Sequence, residues 1–304
     1  MIEATRRATA IHTTGLISAE NISASPDTRS PRRHATGLKQ RFRSKISRLL
    51  TTTICFLAAI DAASYASAGP LDEAAEQYRP YLIEGIGQAL SGAQALQGRV
   101  AAKDVQGAKE AWISARAGWE RSEVFTGGFV PDLDQKIDTW PNATTGFHAI
   151  EARLFGANHT DVEADANDLV ARLTHLHAEA REIRLTPQGL LNGTAQLAYE
   201  VGENKSDGGE SRISGTSLDD MRNNVAGIEI AYNVVFSSQI EAIDPKLADA
   251  ARSQIGQLKA LLDVSSLDKV DAPKLRRATE EFVVTLQNAA PKIGLVRPTL
   301  ESSP

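Results

Sequence analysis

The sequence is poor in cysteine, aromatic residues and long apolar runs. Its 304 residues include a single cysteine, Cys55, and aromatic residues make up 5% of the chain. One cysteine excludes an internal disulfide and any metal site built from several thiolates. The motifs GxSxG and HExxH are also absent, so the sequence supports neither a serine nucleophile nor the HExxH type of metallopeptidase site.

The amino-terminal segment has the pattern of an export signal rather than of a folded domain. We predict that residues 1–68 form an upstream extension and a signal peptide. Lys39–Arg48 is basic, Leu49–Ile60 is apolar but too short to span a bilayer comfortably, and Ala66–Ala68 offers small residues for cleavage. No lipobox precedes Cys55, which argues against a lipid anchor. The sequence therefore predicts a periplasmic protein that does not span the membrane.

The chain that remains after cleavage is strongly acidic. Of the 33 basic and 38 acidic residues in the sequence, residues 1–68 contain ten and four. Residues 69–304 therefore hold 23 basic and 34 acidic residues, with a net charge near −11. Such a protein is repelled by nucleic acids and by anionic lipids, so we expect no nucleic-acid partner.

Apolar residues recur at helical spacing through most of this acidic chain. Steps of three and four separate them in residues 72–100, 105–123 and 162–184. Thr186 followed by Pro187 is a helix start signal, and no stretch alternates between apolar and polar residues as a strand does. We predict an all-α protein of two packed antiparallel four-helix bundles, the first in residues 69–185 and the second in residues 186–304.

Two segments interrupt the helical pattern. Residues 124–145 contain Gly127, Gly128, Pro131 and Pro141, and residues 202–216 are polar and rich in glycine. We predict that both are irregular. A loop of more than twelve residues inside a compact domain is usually functional or disordered, and residues 124–145 join two segments that carry candidate ligands.

A histidine and a glutamate open the helical segment after residue 145. His148 and Glu151, in the sequence GFHAIE, are three residues apart and therefore share one face of a helix. An imidazole nitrogen and a carboxylate are ligands that a borderline or hard metal ion accepts. A lone histidine on a helix is more often structural, so this pair alone does not establish a site.

Carboxylates upstream of the histidine strengthen the metal hypothesis. Glu120 and Glu123 are three residues apart on the preceding helix, and Asp134 and Asp138 lie in the predicted loop. An oxygen-rich site with one imidazole suits iron, manganese, zinc or copper. The alternative is that the glutamates are surface acids and that Arg116 and Glu120 form an ordinary i,i+4 ion pair.

Four segments in order resemble the imelysin-like (peptidase M75-type) family, and within it the EfeO/EfeM-type iron-uptake proteins. The segments are Trp119–Glu123 (WERSE), Asp132–Asp138 (DLDQKID), Gly146–Glu151 (GFHAIE) and Asp220–Gly227 (DMRNNVAG). The resemblance covers the chain after residue 68. The amino-terminal cupredoxin domain that longer members of the family have is missing. One departure is the S-H-x-D-L pattern of the family, where this chain has Gly215 and Ser217 in place of the histidine and aspartate.

The resemblance implies a function as well as a fold. It implies two packed four-helix bundles, a metal site around the HxxE motif, and transfer of iron to an inner-membrane permease in an Efe-type system that also has a periplasmic haem peroxidase. We therefore predict a metal-binding carrier that is not an enzyme, with iron as the expected metal. Two alternatives stay open: a binding protein for an acidic polysaccharide such as alginate, and an M75-type metallopeptidase.

Overall fold

The computed structural model describes residues 69–206 and 208–300, and every regular element in these ranges is helical. The helices are α1 (Pro70–Ala101), α2 (Val105–Phe129), α3 (Pro131–Asp138), α4 (Gly146–Glu151), α5 (Glu163–Glu182), α6 (Pro187–Glu200), α7 (Ser217–Ala231), α8 (Ser237–Ile243), α9 (Pro245–Leu262) and α10 (Ala272–Ala289). The predicted all-α class is confirmed. The predicted extension and signal peptide lie outside the described residues.

Short-range sequence signals explain where several helices begin. The side chains of Asp104, Thr186, Asp244 and Asp271 each accept a hydrogen bond from the backbone N–H three residues later. These bonds satisfy donors that the first helical turn leaves without a partner. Pro187 occupies the first position of α6, where a missing N–H costs nothing, so the predicted start signal is confirmed.

Three π-helical turns interrupt or extend the α-helices. They span Ala152–Gly156 after α4, Val201–Lys205 after α6 and Tyr232–Phe236 between α7 and α8. A π turn holds one residue more than an α turn and is frequent near functional sites. The first begins directly after Glu151, and the second ends at Lys205.

Helix α2 is central because three of the long helices pack against it. α1 runs alongside α2 and also contacts α5, while α6 and α7 pack against other parts of α2. A Cβ atom on Gly227 of α7 would lie 2.6 Å from the carbonyl oxygen of Arg121 in α2. The backbone of α7 therefore approaches α2 directly, which brings polar residues of the two helices together.

The apolar core extends across the predicted boundary at residue 186. Its largest cluster contains Trp112 and Trp119 of α2 together with Phe282 of α10, and a smaller cluster that includes Met221 joins α7, α9 and α10. The division into two four-helix bundles stays a prediction. None of the described helices combines the length and the apolar character needed to cross a bilayer.

The structure corrects the prediction that residues 124–145 are irregular. α2 continues to Phe129, and α3 follows from Pro131 to Asp138, so only Val130 and residues 139–145 of this segment lack a helix. Gly128 does not break α2 because its backbone lies against α6, where an added Cβ would come within 3.1 Å of the Gly189 carbonyl oxygen. Pro131 takes the first position of α3. Asp134 and Asp138 therefore share one helix.

The contact between α1 and α2 gives a prediction about stability. A Cβ on Gly92 would lie 2.6 Å from the backbone of Ala115, whereas a Cβ on Gly98 would meet nothing within 4 Å. Gly92→Ala should therefore lower the free energy of unfolding by about 1–3 kcal/mol through overpacking. Gly98→Ala, on an exposed face of the same helix, should raise it by about 0.5–1 kcal/mol. Urea unfolding followed by circular dichroism measures both, and equal stability of the two variants would contradict this account of the packing.

Candidate metal centre

The centre is built first on one face of α2. Arg116, Glu120 and Glu123 follow one another at steps of four and three, so their side chains point in the same direction. Glu120 is fully buried and Arg116 is 1% exposed, and the two form an ion pair. The alternative of a surface ion pair is therefore wrong, because both charges lie in the interior where each needs a partner.

His148 lies in α4, and its two ring nitrogens contact different carboxylates. Nδ1 lies 2.8 Å from Oε2 of Glu151, and Nε2 lies 3.3 Å from both Oδ1 of Asp138 and Oε1 of Glu210. The other oxygen of Glu151 accepts hydrogen bonds of 2.7 Å from the backbone N–H and the hydroxyl of Ser214. Glu151 therefore orients the imidazole, and Nε2 is the nitrogen that faces the acidic centre.

Asp138, at the end of α3, connects the histidine to α2. Its Oδ2 accepts a hydrogen bond of 2.7 Å from Nε1 of Trp119, and its Oδ1 pairs with Arg116. The ring of Trp140 lies 5.3 Å from the ring of His148, measured between centroids, and is 43% exposed. Asp138 is thus fixed from three sides, and Trp140 lies at the boundary between the centre and solvent.

Residues after position 186 complete the centre. Nζ of Lys205 lies 2.8 Å from Oε2 of Glu120, 3.0 Å from Oε2 of Glu123 and 3.3 Å from Oε2 of Glu210. Asn224 of α7 donates to the same oxygens of Glu120 and Glu123, at 2.7 and 2.6 Å. The predicted metal site was confined to residues 69–185, whereas this polar network also draws on α7 and the segment before it.

Two overlapping groups in this network have the spacing of metal ligands. Asp138, His148 and Glu210 form one group, here called the histidine set, and Glu120, Glu123 and Asp138 form the other, the glutamate set. Within each set the ligand atoms lie within 4.8 Å of one another, which suits bonds of about 2.0–2.6 Å to a common ion. Oxygen ligands with one imidazole fit iron, manganese or zinc by their chemistry.

The structure brings together most, but not all, of the predicted ligands. Glu120, Glu123, Asp138 and His148 belong to the two sets, while Glu151 lies behind the imidazole and belongs to neither. Asp134, one helical turn before Asp138, also lies outside both sets. Metal ligation by these residues stays a prediction.

The charges in the network shift the pKa values of its members. Burial alone would lower the pKa of His148, but hydrogen bonds to Asp138, Glu151 and Glu210 raise it to about 11. Burial would raise the pKa of Asp138, yet Arg116 and then His148 hold it well below its usual value. For Glu123, burial and the neighbouring Glu120 raise the pKa well above the usual value. Negative charge is therefore in excess around Glu123.

A cleft of about 940 Å³ connects this network to the outside. Its acidic lining residues are Glu123, Asp134, Asp138, Glu200, Glu203 and Glu210. Lys205 is the one basic residue in the described part of the lining. Burial raises the pKa of Asp134 to about 7, in spite of a hydrogen bond from Thr126. The cleft is therefore an acidic path to the centre.

Sequence reasoning missed four members of the network. They are Lys205, Glu210, Asp220 and Asn224. Asp220 and Asn224 belong to the segment that carries the family resemblance, and their spacing of four places them on one face of α7. Lys205 and Glu210 come from the glycine-rich segment, whose composition indicates an exposed loop although both side chains are buried. No local pattern identifies them.

The raised pKa of His148 gives a prediction about pH. Folding raises this pKa from 6.5 to about 11, so the bound proton stabilises the folded state fully below pH 6.5. This stabilisation is lost as the pH rises through 11. Between about pH 7 and pH 10, the free energy of unfolding of the metal-free protein should fall by about 1 kcal/mol per pH unit more than that of His148→Gln. Urea unfolding in the presence of a chelator measures the two slopes, and equal slopes would show that His148 does not hold the proton.

Comparison with known proteins finds relatives that are named Efem/EfeO family lipoproteins. A protein from Staphylococcus aureus (strain MRSA252), named an Efem/EfeO family lipoprotein, is 29% identical over 245 residues, which cover 74% of this chain and 85% of that protein. A protein of the same name from Staphylococcus haemolyticus (strain JCSC1435) is 30% identical over 204 residues, or 64% of this chain and 70% of that protein. The predicted relationship to EfeO/EfeM-type proteins is confirmed.

The predicted periplasmic location is wrong. These relatives are named lipoproteins, and staphylococci are Gram-positive bacteria that have no periplasm. The prediction depended on an export signal, which does not distinguish a free protein from one held at a membrane by covalently attached acyl chains. Cys55, the residue used to argue against a lipid anchor, lies outside the described residues.

The fold and a family model point to the same conclusion. The crystal structure of a protein described as an iron-regulated protein A precursor from Parabacteroides distasonis has a TM-score of 0.58, at 15% identity. The match covers 75% of this chain and 96% of that chain and shows a similar fold. Residues 74–290, from α1 into the turn after α10, match the model of the Imelysin family, Peptidase_M75. The chain therefore belongs to the imelysin (peptidase M75) family as a protein of the EfeO/EfeM type.

Proposed function

We propose that this chain binds a metal ion, with iron as its physiological substrate, as a carrier component of an iron-uptake system. The observation that carries the proposal is the histidine set. Nε2 of His148 lies 3.3 Å from a carboxylate oxygen of Asp138 and from one of Glu210. These three atoms come from separate segments of the chain and meet in the interior, where unpaired carboxylates are costly.

The charge of the network supports a cation as the ligand. Six carboxylates belong to the described ion-pair network, namely Glu120, Glu123, Asp138, Glu151, Glu210 and Asp220. The basic groups paired with them are Arg116, Lys205 and His148. Carboxyl groups therefore outnumber basic groups by three, and burial together with the neighbouring Glu120 raises the pKa of two of them, Glu123 and Asp220. A divalent or trivalent ion would offset this excess.

The cleft favours a cation over an acidic polysaccharide. Its ionisable lining is acidic apart from Lys205, and the Lys205 ammonium is already held by three carboxylates. A polyanion would meet repulsion along this path, whereas a hydrated cation would be attracted.

The naming of the relatives favours iron among the metals that the ligands suit. The Staphylococcus aureus and Staphylococcus haemolyticus relatives are Efem/EfeO family lipoproteins. On this basis we extend the proposal to the expected partners, an iron permease in the membrane and the haem peroxidase of such a system. Ligands that are carboxylates and one imidazole lose affinity on protonation, which supplies a route to release.

The histidine set gives a prediction about metal affinity. His148→Ala removes the nitrogen ligand and should weaken Fe²⁺ or Mn²⁺ binding by about 100-fold or more, while Glu151→Gln, which disturbs only the orientation of the ring, should weaken it by about 10-fold. Isothermal titration calorimetry under anaerobic conditions measures both. His175→Ala, at a side chain that is 71% exposed, is the matched control and should bind as the wild type does. Equal affinity of His148→Ala and wild type would end the proposal.

The contacts in the centre favour a carrier over a peptidase. A hydrolase needs a carboxylate free to act as a general base on water. Here Glu120 and Glu123 bind Lys205 and Asn224, and Glu151 binds His148 and Ser214. Asp138 and Glu210 are likewise paired with Arg116 and His148. We therefore infer that the family label Peptidase_M75 does not describe the activity of this chain.

This inference gives a prediction about proteolysis. The purified protein should not cleave an unfolded protein substrate such as reduced casein when Zn²⁺, Mn²⁺ or Fe²⁺ is supplied, since Glu120, Glu123, Asp138, Glu151 and Glu210 are all held in ion pairs or hydrogen bonds. Gel analysis of the substrate over time is the measurement. Glu151→Gln, purified in parallel, distinguishes activity of this chain from activity of a contaminating protease, because a contaminant would still cleave casein in the variant preparation. Proteolysis by the wild type that disappears in Glu151→Gln would favour the peptidase alternative.

A further inference from the structure

Lys205 occupies the position that a cation would take in the glutamate set. Its Nζ lies 2.8 and 3.0 Å from carboxylate oxygens of Glu120 and Glu123, two of the three members of that set. The side chain is 4% exposed, and carboxylate oxygens of three residues lie within 3.3 Å of its nitrogen. An ammonium group with three carboxylate contacts in the interior replaces the charge and the contacts of a bound ion.

The charges divide unequally between the two sets. Lys205 contacts two members of the glutamate set, Glu120 and Glu123, at 2.8 and 3.0 Å, whereas Arg116 pairs with members of both sets. In the histidine set Lys205 contacts one member, Glu210, at 3.3 Å, and Nε2 of His148 lies 3.3 Å from both Asp138 and Glu210. The position of the ammonium group therefore opposes a metal ion in the glutamate set more strongly than one in the histidine set.

The two sets overlap. They share Asp138, whose two oxygens could bridge neighbouring metals, as carboxylates do where two metals lie about 3.5–4 Å apart. Asn224 donates to the same oxygens of Glu120 and Glu123 that Lys205 contacts, so these carboxylates keep a hydrogen-bond donor without the lysine. What separates this centre from a two-metal centre is the ammonium group.

We propose that Lys205 is a built-in cation that fills the glutamate set and limits this chain to one metal ion. This inference rests on the proposed metal-binding function. The number of metal ions bound is then set by Lys205, a residue of the glycine-rich segment, and not by the number of carboxylates. Removal of the ammonium group, with the carboxylates left intact, should create a second metal site that includes Glu120 and Glu123.

The test compares Lys205→Met with Lys205→Arg. Methionine removes the charge at nearly constant length, whereas arginine keeps the charge. Titration calorimetry with Mn²⁺ should give one ion for the wild type and for Lys205→Arg, and two ions for Lys205→Met. Electron paramagnetic resonance is an independent readout, because two Mn²⁺ ions bridged by Asp138 would show an exchange-coupled spectrum in Lys205→Met and a single ion would not.

The outcomes separate this inference from the function on which it rests. A wild type that binds no Mn²⁺ or Fe²⁺ would overturn the metal-binding function itself. A wild type that binds one ion, together with a Lys205→Met variant that also binds one or none, would overturn the role of Lys205 alone, as would two ions in the wild type. If Lys205→Met is unfolded without metal, Mn²⁺ should restore its native circular dichroism, and a variant that stays unfolded with Mn²⁺ contradicts the inference.

Discussion

The burial of Arg116 and Lys205 among carboxylates is the constraint on which the rest of the structure depends. An isolated charge in a helical core is prohibitively costly, and a pair is tolerated only when each partner is held in good geometry. Arg116 on α2 contacts carboxylates from α2, α3, α7 and the glycine-rich segment. The helices can therefore come together in few arrangements, since another packing would leave one of these charges without a partner.

The same constraint accounts for the close helix contacts around α2. Charged side chains of ordinary length can meet only if the backbones that carry them are near, and Gly227 allows α7 to approach Arg121 directly. Asp220 and Asn224, on that part of α7, then reach Arg116 and the two glutamates of α2. The small residues that let the helices approach are therefore needed for the charged residues of the centre to reach one another.

Much of the fold and part of the centre could be predicted from the sequence. Apolar spacing and cap residues identify the long helices because both depend on neighbours within one or two turns. The step of three between Glu120 and Glu123, and between His148 and Glu151, likewise places these pairs on helix faces. The separate roles of His148 and Glu151 were not predictable, because Ser214, which engages Glu151, is remote in sequence. Glu210 and Lys205 were missed for the same reason. The glycines and prolines of residues 124–145 led to the prediction of an irregular segment where the chain forms two helical stretches.

The π-helical turn Val201–Lys205 makes the centre sensitive to helix length. Each residue of an α-helix rotates the chain by about 100°, and a π turn accommodates one residue more than an α turn. A deletion of one residue within this turn would restore a regular α-helix and turn the Lys205 ammonium away from Glu120 and Glu123. In relatives, the loss of one residue from this turn would therefore change the centre as much as a substitution of the lysine. The extra residue of the π turn determines which side chain enters the acidic interior.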